Sequence, residues 1–210
     1  KIIVNGCARL KGANITIPSD RIEAGTFALA VAATGGKLKL KSINIKEIDT
    51  LKKVLQNTDV EIKSSEKFVE IIKKNRVIHP IDIETKPYPG FPTDLQAQFM
   101  ALMAYSNGKS KIKETIFENR FMHVQELVRL GAQIKLNSDT AIVNGARKLY
   151  GAPLMATDLR ASASLIIGAL RAEGTSTIRR VYHLDRGFDK IEQKLSSCGA
   201  IIERKRDNNE

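Results

Sequence analysis

The chain has 210 residues, 42% of them hydrophobic and 27% charged, which suits one large folded domain or two small ones and excludes both a disordered chain and a miniature held together by disulfides. Its longest uncharged runs, at 24–36 and 95–107, fall short of the roughly 20 residues that a membrane-crossing helix needs, so a soluble, cytoplasmic protein with no membrane partner is expected. A net charge of +11 asks for an anionic partner or describes a lysine-rich surface; the scattered lysines and an aromatic content of 5% speak against nucleic acid and suit small phosphorylated substrates.

The chain opens Lys1-Ile2-Ile3-Val4-Asn5-Gly6, without an apolar leader and without an initiator Met, and is expected to be a fragment of a longer protein. Cys7 and Cys198 stand far apart and outside any C-x-x-C; they read as reduced thiols.

From residue 18 one pattern recurs three times, over about 18–75, 80–145 and 148–210. Each copy opens on a Ser/Thr-Asp pair, at Ser19-Asp20, Thr93-Asp94 and Thr157-Asp158. These are good helix N-caps, because the side-chain oxygen accepts an orphan backbone N–H. An uncharged run follows and ends near a glycine, which predicts a helix of about ten to fourteen residues. The three runs are apolar nearly all round, so these helices are expected to be buried on every side and to form a bundle inside the domain.

Alternating segments come next, at 37–41, 109–113 and 176–180, and predict half-exposed strands. Each leads into a helix with one apolar stripe: Ile48, Leu51, Val54 and Leu55; Val124, Leu127 and Val128; Phe188, Ile191 and Leu195. Leu130-Gly131-Ala132 and Cys198-Gly199-Ala200 then mark left-handed helix ends, with Asn57 in that place in the first copy. Short strands follow, such as 68–72 and 140–143.

The unit therefore reads strand, buried helix, strand, exposed helix, two strands, and three units predict an α/β domain of the inside-out α/β barrel kind. The third copy runs out of chain before its last strand. Either residues 1–4 complete it or a piece outside this chain does.

Phosphate-binding loops, dinucleotide fingerprints, zinc-protease motifs and nucleophile elbows are absent from the sequence. His79, His123 and His183 have no metal-ligand spacing, so neither a metal nor a cofactor is expected. Polar residues instead gather at helix starts and turns: Asp94, Arg160, the run Glu118-Asn119-Arg120-Phe121-Met122-His123, and His183-Leu184-Asp185-Arg186-Gly187. If the units share one architecture, these turns fall on one rim. Two arginines there make a clamp for a carboxylate or phosphate, and Asp94 in that positive field stays ionised and can accept a proton from a hydroxyl. The alternative is structural: all three aspartates cap helices, and Arg160 pairs with Asp158.

Phe91-Pro92-Thr93-Asp94-Leu95-Gln96-Ala97-Gln98-Phe99, Glu114-Thr115-Ile116-Phe117 with the Glu118–His123 run, Ala156-Thr157-Asp158-Leu159-Arg160-Ala161-Ser162 and Tyr182-His183-Leu184-Asp185-Arg186-Gly187 resemble the carboxy-terminal half of the UDP-N-acetylglucosamine 1-carboxyvinyltransferase family of enolpyruvyl transferases. The resemblance covers essentially the whole chain. It implies two inside-out α/β domains with the active site in the cleft between them. It implies transfer of the enolpyruvyl group of phosphoenolpyruvate to the 3-hydroxyl of UDP-N-acetylglucosamine, the first committed step of peptidoglycan synthesis and thus of cell-wall biogenesis, cell shape and division. By motif match Asp94 takes the hydroxyl proton and Arg160 and Arg186 hold the phosphoenolpyruvate carboxylate. Ile116 touches the nucleotide sugar, and Glu118, Arg120 and His183 shape the rim. Residues 1–17 correspond to a hinge or linker strand at the junction with the missing half. The family's general acid and its Lys-Asn pair belong to that half, so neither Cys7 nor Cys198 inherits the acid's role, and this chain alone is expected to be inactive.

Overall fold

The computed structural model describes residues 1–65, 68–146 and 148–205; the end of the third repeat, at 206–210, lies outside them. Residues 1–17 form no strand and are exposed, so they do not complete the third unit. The approach to the first helix touches the body where the Ser19 hydroxyl donates to the Ser42 carbonyl.

Three buried helices hold the chain together: α1 (Arg21–Thr34), α3 (Gln96–Met103) and α5 (Leu159–Arg171). They pack on one another pairwise. Every residue of α3 is buried, as is α1 from Ala24 to Ala33, which is what an all-round apolar sequence requires. The middle helix is shorter than its sequence predicts. Its first turn, Thr93–Leu95, is a tight 3-10 turn, and the chain leaves the helix at Ala104.

Around this trio run three sheets. The first, β1 (Gly36–Lys41), β3 (Phe68–Lys73) and β2 (Val60–Ser64), is antiparallel in that order. The second has the order β4 (Ile83–Glu84), β5 (Lys109–Lys113), β7 (Thr140–Asn144), β6 (Gln133–Asn137), with β4 parallel to β5 and the rest antiparallel. The third holds, among the described residues, β8 (Pro153–Met155) and β9 (Thr177–Arg179), in parallel. Short amphipathic helices α2 (Asp49–Gln56) and α4 (His123–Arg129) lie between strands, and α6 (Ile191–Ser197) is the last element among the described residues. Among the described residues, the stretch predicted as the second repeat alone carries every predicted element, in the order β4, α3, β5, α4, β6, β7.

Two details depart from the sequence reading. In the first unit the left-handed residue is Asp59 (φ 59°), not Asn57 (φ −75°), whereas Gly131 (φ 99°) and Gly199 (φ 96°) occupy that conformation as expected. Val128 is 46% exposed. The α4 stripe therefore rests on Val124 and Leu127, with Leu130 beyond the helix end.

Polar bonds fix the helices against one another inside the apolar core. The Tyr105 hydroxyl donates to the Gly168 carbonyl at 2.6 Å, the Gln98 amide to the Thr26 hydroxyl at 3.2 Å, and the Arg171 guanidinium to the Ala33 carbonyl at 2.9 Å. Gly168 keeps a second donor in the Ala172 N–H, so Tyr105→Phe removes one bond without stranding its acceptor. The expected loss is about 1 kcal/mol, read as a drop of about 2–4 °C in thermal midpoint for a domain of this size.

Candidate active site

Asp20 and Asp158 cap their helices. The Asp20 carboxylate accepts the N–H groups of Ile22 (2.7 Å) and Glu23 (3.1 Å), and that of Asp158 accepts those of Arg160 (2.8 Å) and Ala161 (2.9 Å). Asp94 does not cap. Because the second unit enters its helix through a 3-10 turn, the Asp94 side chain makes no cap bond and is left free to turn outward. It binds two guanidinium groups, Arg120 Nη2 to Oδ1 at 2.8 Å and Arg160 Nη2 to Oδ2 at 3.0 Å. Arg160 thus has its backbone on Asp158 and its guanidinium on Asp94, which removes the expectation that it pairs with Asp158.

This cluster joins two units. Asp94 begins the second, Arg120 comes from the loop ahead of α4, and Arg160 lies in the first turn of α5. Burial by itself pushes the Asp94 carboxyl upward, but Arg160 and then Arg120 outweigh it and hold its pKa below the ordinary aspartate value. It is an ionised acceptor at neutral pH.

Glu114 holds the loop that carries Arg120. It is 3% exposed and its carboxylate accepts four bonds: from the Thr85 hydroxyl (2.8 Å), the Thr93 hydroxyl (2.9 Å), Ile116 N–H (2.9 Å) and Phe117 N–H (3.2 Å). Arg120 Nη1 donates in turn to the Thr93 hydroxyl at 2.9 Å, and the guanidinium sits 4.6 Å from the centre of the Phe117 ring. The sequence pattern made Thr93 part of a helix N-cap and assigned Glu114 and Phe117 no separate task. A signal existed for Glu114: Ser110 and Ile112 point inward along β5 and Glu114 continues that alternation, which puts a carboxylate where an apolar residue belongs.

The remaining expected residues are distributed as follows. Ile116 is 37% exposed on the Glu114-held loop, and Glu118 is exposed beside it. His183 stacks on Tyr182, ring centres 4.3 Å apart, with Nε2 buried and unpaired. Arg186 ends the 3-10 segment Val181–Arg186 and is exposed. The next residue, Gly187, packs so closely on Leu159 that a Cβ there would lie 2.9 Å from Leu159 Cδ2, which sets Arg186 at the same end of α5 as Arg160. Its guanidinium makes no ion pair or hydrogen bond among the described residues and does not join the Asp94 cluster.

His123 is wholly buried behind the site. Burial pushes its pKa down from 6.5 to about 4, an effect that the field of Asp158 opposes and that of Arg120 reinforces. A depressed histidine contributes stability that is complete above its unfolded pKa and is lost as pH falls toward the folded one. The chain is therefore expected to lose on the order of 3 kcal/mol between pH 6.5 and 4 from this residue. Denaturant titrations of His123→Phe across that range check this: the variant's stability profile is expected to be flatter than the parent's.

Fold and site together define the class of molecule: an α/β domain around three buried helices, with a carboxylate–guanidinium cluster at the starts of two of them. The chain belongs to the EPSP synthase (3-phosphoshikimate 1-carboxyvinyltransferase) family, whose pattern it matches over residues 1–195. It is 55% identical over 203 residues to UDP-N-acetylglucosamine 1-carboxyvinyltransferase 1 of Mesorhizobium japonicum, covering 97% of this chain and 47% of that protein. It is 56% identical over 206 residues to UDP-N-acetylglucosamine 1-carboxyvinyltransferase of Methylorubrum populi, covering 98% and 48%. Among solved structures, the enolpyruvyl transferase NikO from Streptomyces tendae superposes with a TM-score of 0.81 at 27% identity, over 89% of this chain and 44% of that one. EPSP synthase from Acinetobacter baumannii shares the fold, with a TM-score of 0.74 at 20% identity over 96% and 50%. The chain spans about half the length of the curated relatives it matches.

Proposed function

We propose that the chain is the carboxy-terminal half of an enzyme that transfers the enolpyruvyl group of phosphoenolpyruvate to the 3-hydroxyl of UDP-N-acetylglucosamine, a cytoplasmic step of cell-wall precursor synthesis. Its three units are read as an inside-out α/β barrel that forms one wall of the active-site cleft. The observation that carries this reading is the Asp94 carboxylate, tethered at 2.8 and 3.0 Å between Arg120 and Arg160. Exposed apolar side chains near this end, Phe117, Met122 and Tyr182, suit a surface on which a second wall closes.

The chemistry follows from the charges. Protonation of the enol methylene by a group on the other half leaves a cationic carbon. The sugar hydroxyl adds to it, its proton passes to a carboxylate, and loss of phosphate with a proton from the methyl carbon restores the double bond. Asp94 is a weak base while both arginines hold it. Arrival of the phosphoenolpyruvate carboxylate on Arg160, aided by Arg186, draws that guanidinium away from Asp94, and its basicity rises as the hydroxyl comes within reach. Substrate binding thereby sets up the base it needs. Ile116, Glu118 and His183 line the approach of the nucleotide sugar.

In the complete two-half enzyme, Asp94→Ala is expected to lower kcat by roughly 10²–10⁴-fold with its circular-dichroism spectrum unchanged. Arg186→Ala is expected to raise the KM for phosphoenolpyruvate at least about tenfold, the effect of losing one charge-assisted contact. Phosphate release measures both, and kcat within twofold of the parent for Asp94→Ala would end the assignment. The 210-residue chain alone is expected to release no phosphate until the other half is added.

A further inference from the structure

A second junction between units carries a cavity that the proposed reaction does not use. The Asp94 cluster lies between the second unit's connecting loop and the start of the third. At the corresponding place between the first unit's loop and the start of the second, a cavity of about 320 Å³ opens beside Lys46, Glu47, Tyr88, Leu95 and Arg21. That volume sits at the small end of the roughly 300–1,000 Å³ found for small-molecule sites. Its walls are tied together, since the Thr50 hydroxyl donates to the Pro89 carbonyl at 2.5 Å and the Arg21 guanidinium stands 5.0 Å from the centre of the Tyr88 ring.

The charges around it do not cancel internally. Lys53 is occupied by Asp49 at 2.7 Å, whereas neither Arg21 nor Lys46 has an ion-pair partner among the described residues. Glu47 Oε2 is out of contact with solvent and accepts no hydrogen bond. A buried carboxylate oxygen with no donor is costly and rare in a finished structure; here it borders a cavity whose lining includes Arg21 and Lys46.

We propose that this cavity binds a monosaccharide phosphate. The phosphate meets Arg21 and Lys46, a sugar hydroxyl donates to Glu47 Oε2, and the apolar floor at Leu95 takes one face of the ring. Such a ligand supplies both things the cavity lacks, an anion for the cations and a donor for the carboxylate. A bare anion would leave Glu47 worse off, and a neutral sugar would leave the cations unmatched. The inference is independent of the reaction proposed above.

Glucose 6-phosphate is the probe, titrated into the ¹⁵N-labelled chain and followed by amide chemical shifts. Saturable shifts are expected at residues 46–51 and 88–90. Arg21→Gln and Glu47→Gln are each expected to weaken binding about tenfold, the loss of one charge-assisted contact, while their remaining amide signals stay in place and show the fold retained. Arg160→Ala is expected to leave binding at these residues unchanged. Absence of saturable shifts, shifts centred instead on Arg120 and Arg160, unaltered affinity in Arg21→Gln, or binding of inorganic phosphate as tight as that of glucose 6-phosphate would each overturn the proposal.

Discussion

Helices α1 and α3 have no polar face to offer water, and α5 has little of one, so each can exist only when surrounded. That single requirement organises the molecule. Three helices that need cover on all sides cover one another first, and the sheets and amphipathic helices close the remaining faces. Their first turns mark where that apolar packing gives way to polar groups. The Asp94, Arg120 and Arg160 cluster lies there.

The site exists because one of three similar helix starts breaks its own pattern. Asp20 and Asp158 satisfy backbone donors of α1 and α5, and their charge is absorbed by the helices they begin. In the second unit the 3-10 turn at Thr93–Leu95 leaves Asp94 without that duty. Its charge is answered across the boundary by Arg160 and from the following loop by Arg120. Glu114 makes the arrangement rigid, since it binds Thr93 on one side and the backbone of Ile116 and Phe117 on the other. A carboxylate held by two arginines shares their charge with any other anion that reaches them, and the proposed function rests on that competition.

Much of this was legible in the sequence. The all-round apolar runs gave three buried helices, and the Ser/Thr-Asp pairs located their starts. What the pattern hid was a difference in backbone. Thr93-Asp94-Leu95 and Thr157-Asp158-Leu159 look alike as letters, but only the second begins an ordinary α-helix, so the alternative in which all three aspartates cap was open until the turn was seen. The pairing of Arg160 with Asp94, 66 residues earlier, is a contact between units that no local spacing encodes. Asp59 adopts the left-handed conformation expected of Asn57 for a related reason: the first unit turns two residues later than the alignment of letters suggests.

One edge of β9 is unpaired among the described residues. In the second unit β5 is flanked by β4 in parallel and β7 in antiparallel. In the third, β9 has its parallel neighbour β8 and no antiparallel one among the described residues, while Ile201, at the position matching the start of β6, is fully exposed. An unpaired edge with an apolar residue beside it is a template for another strand.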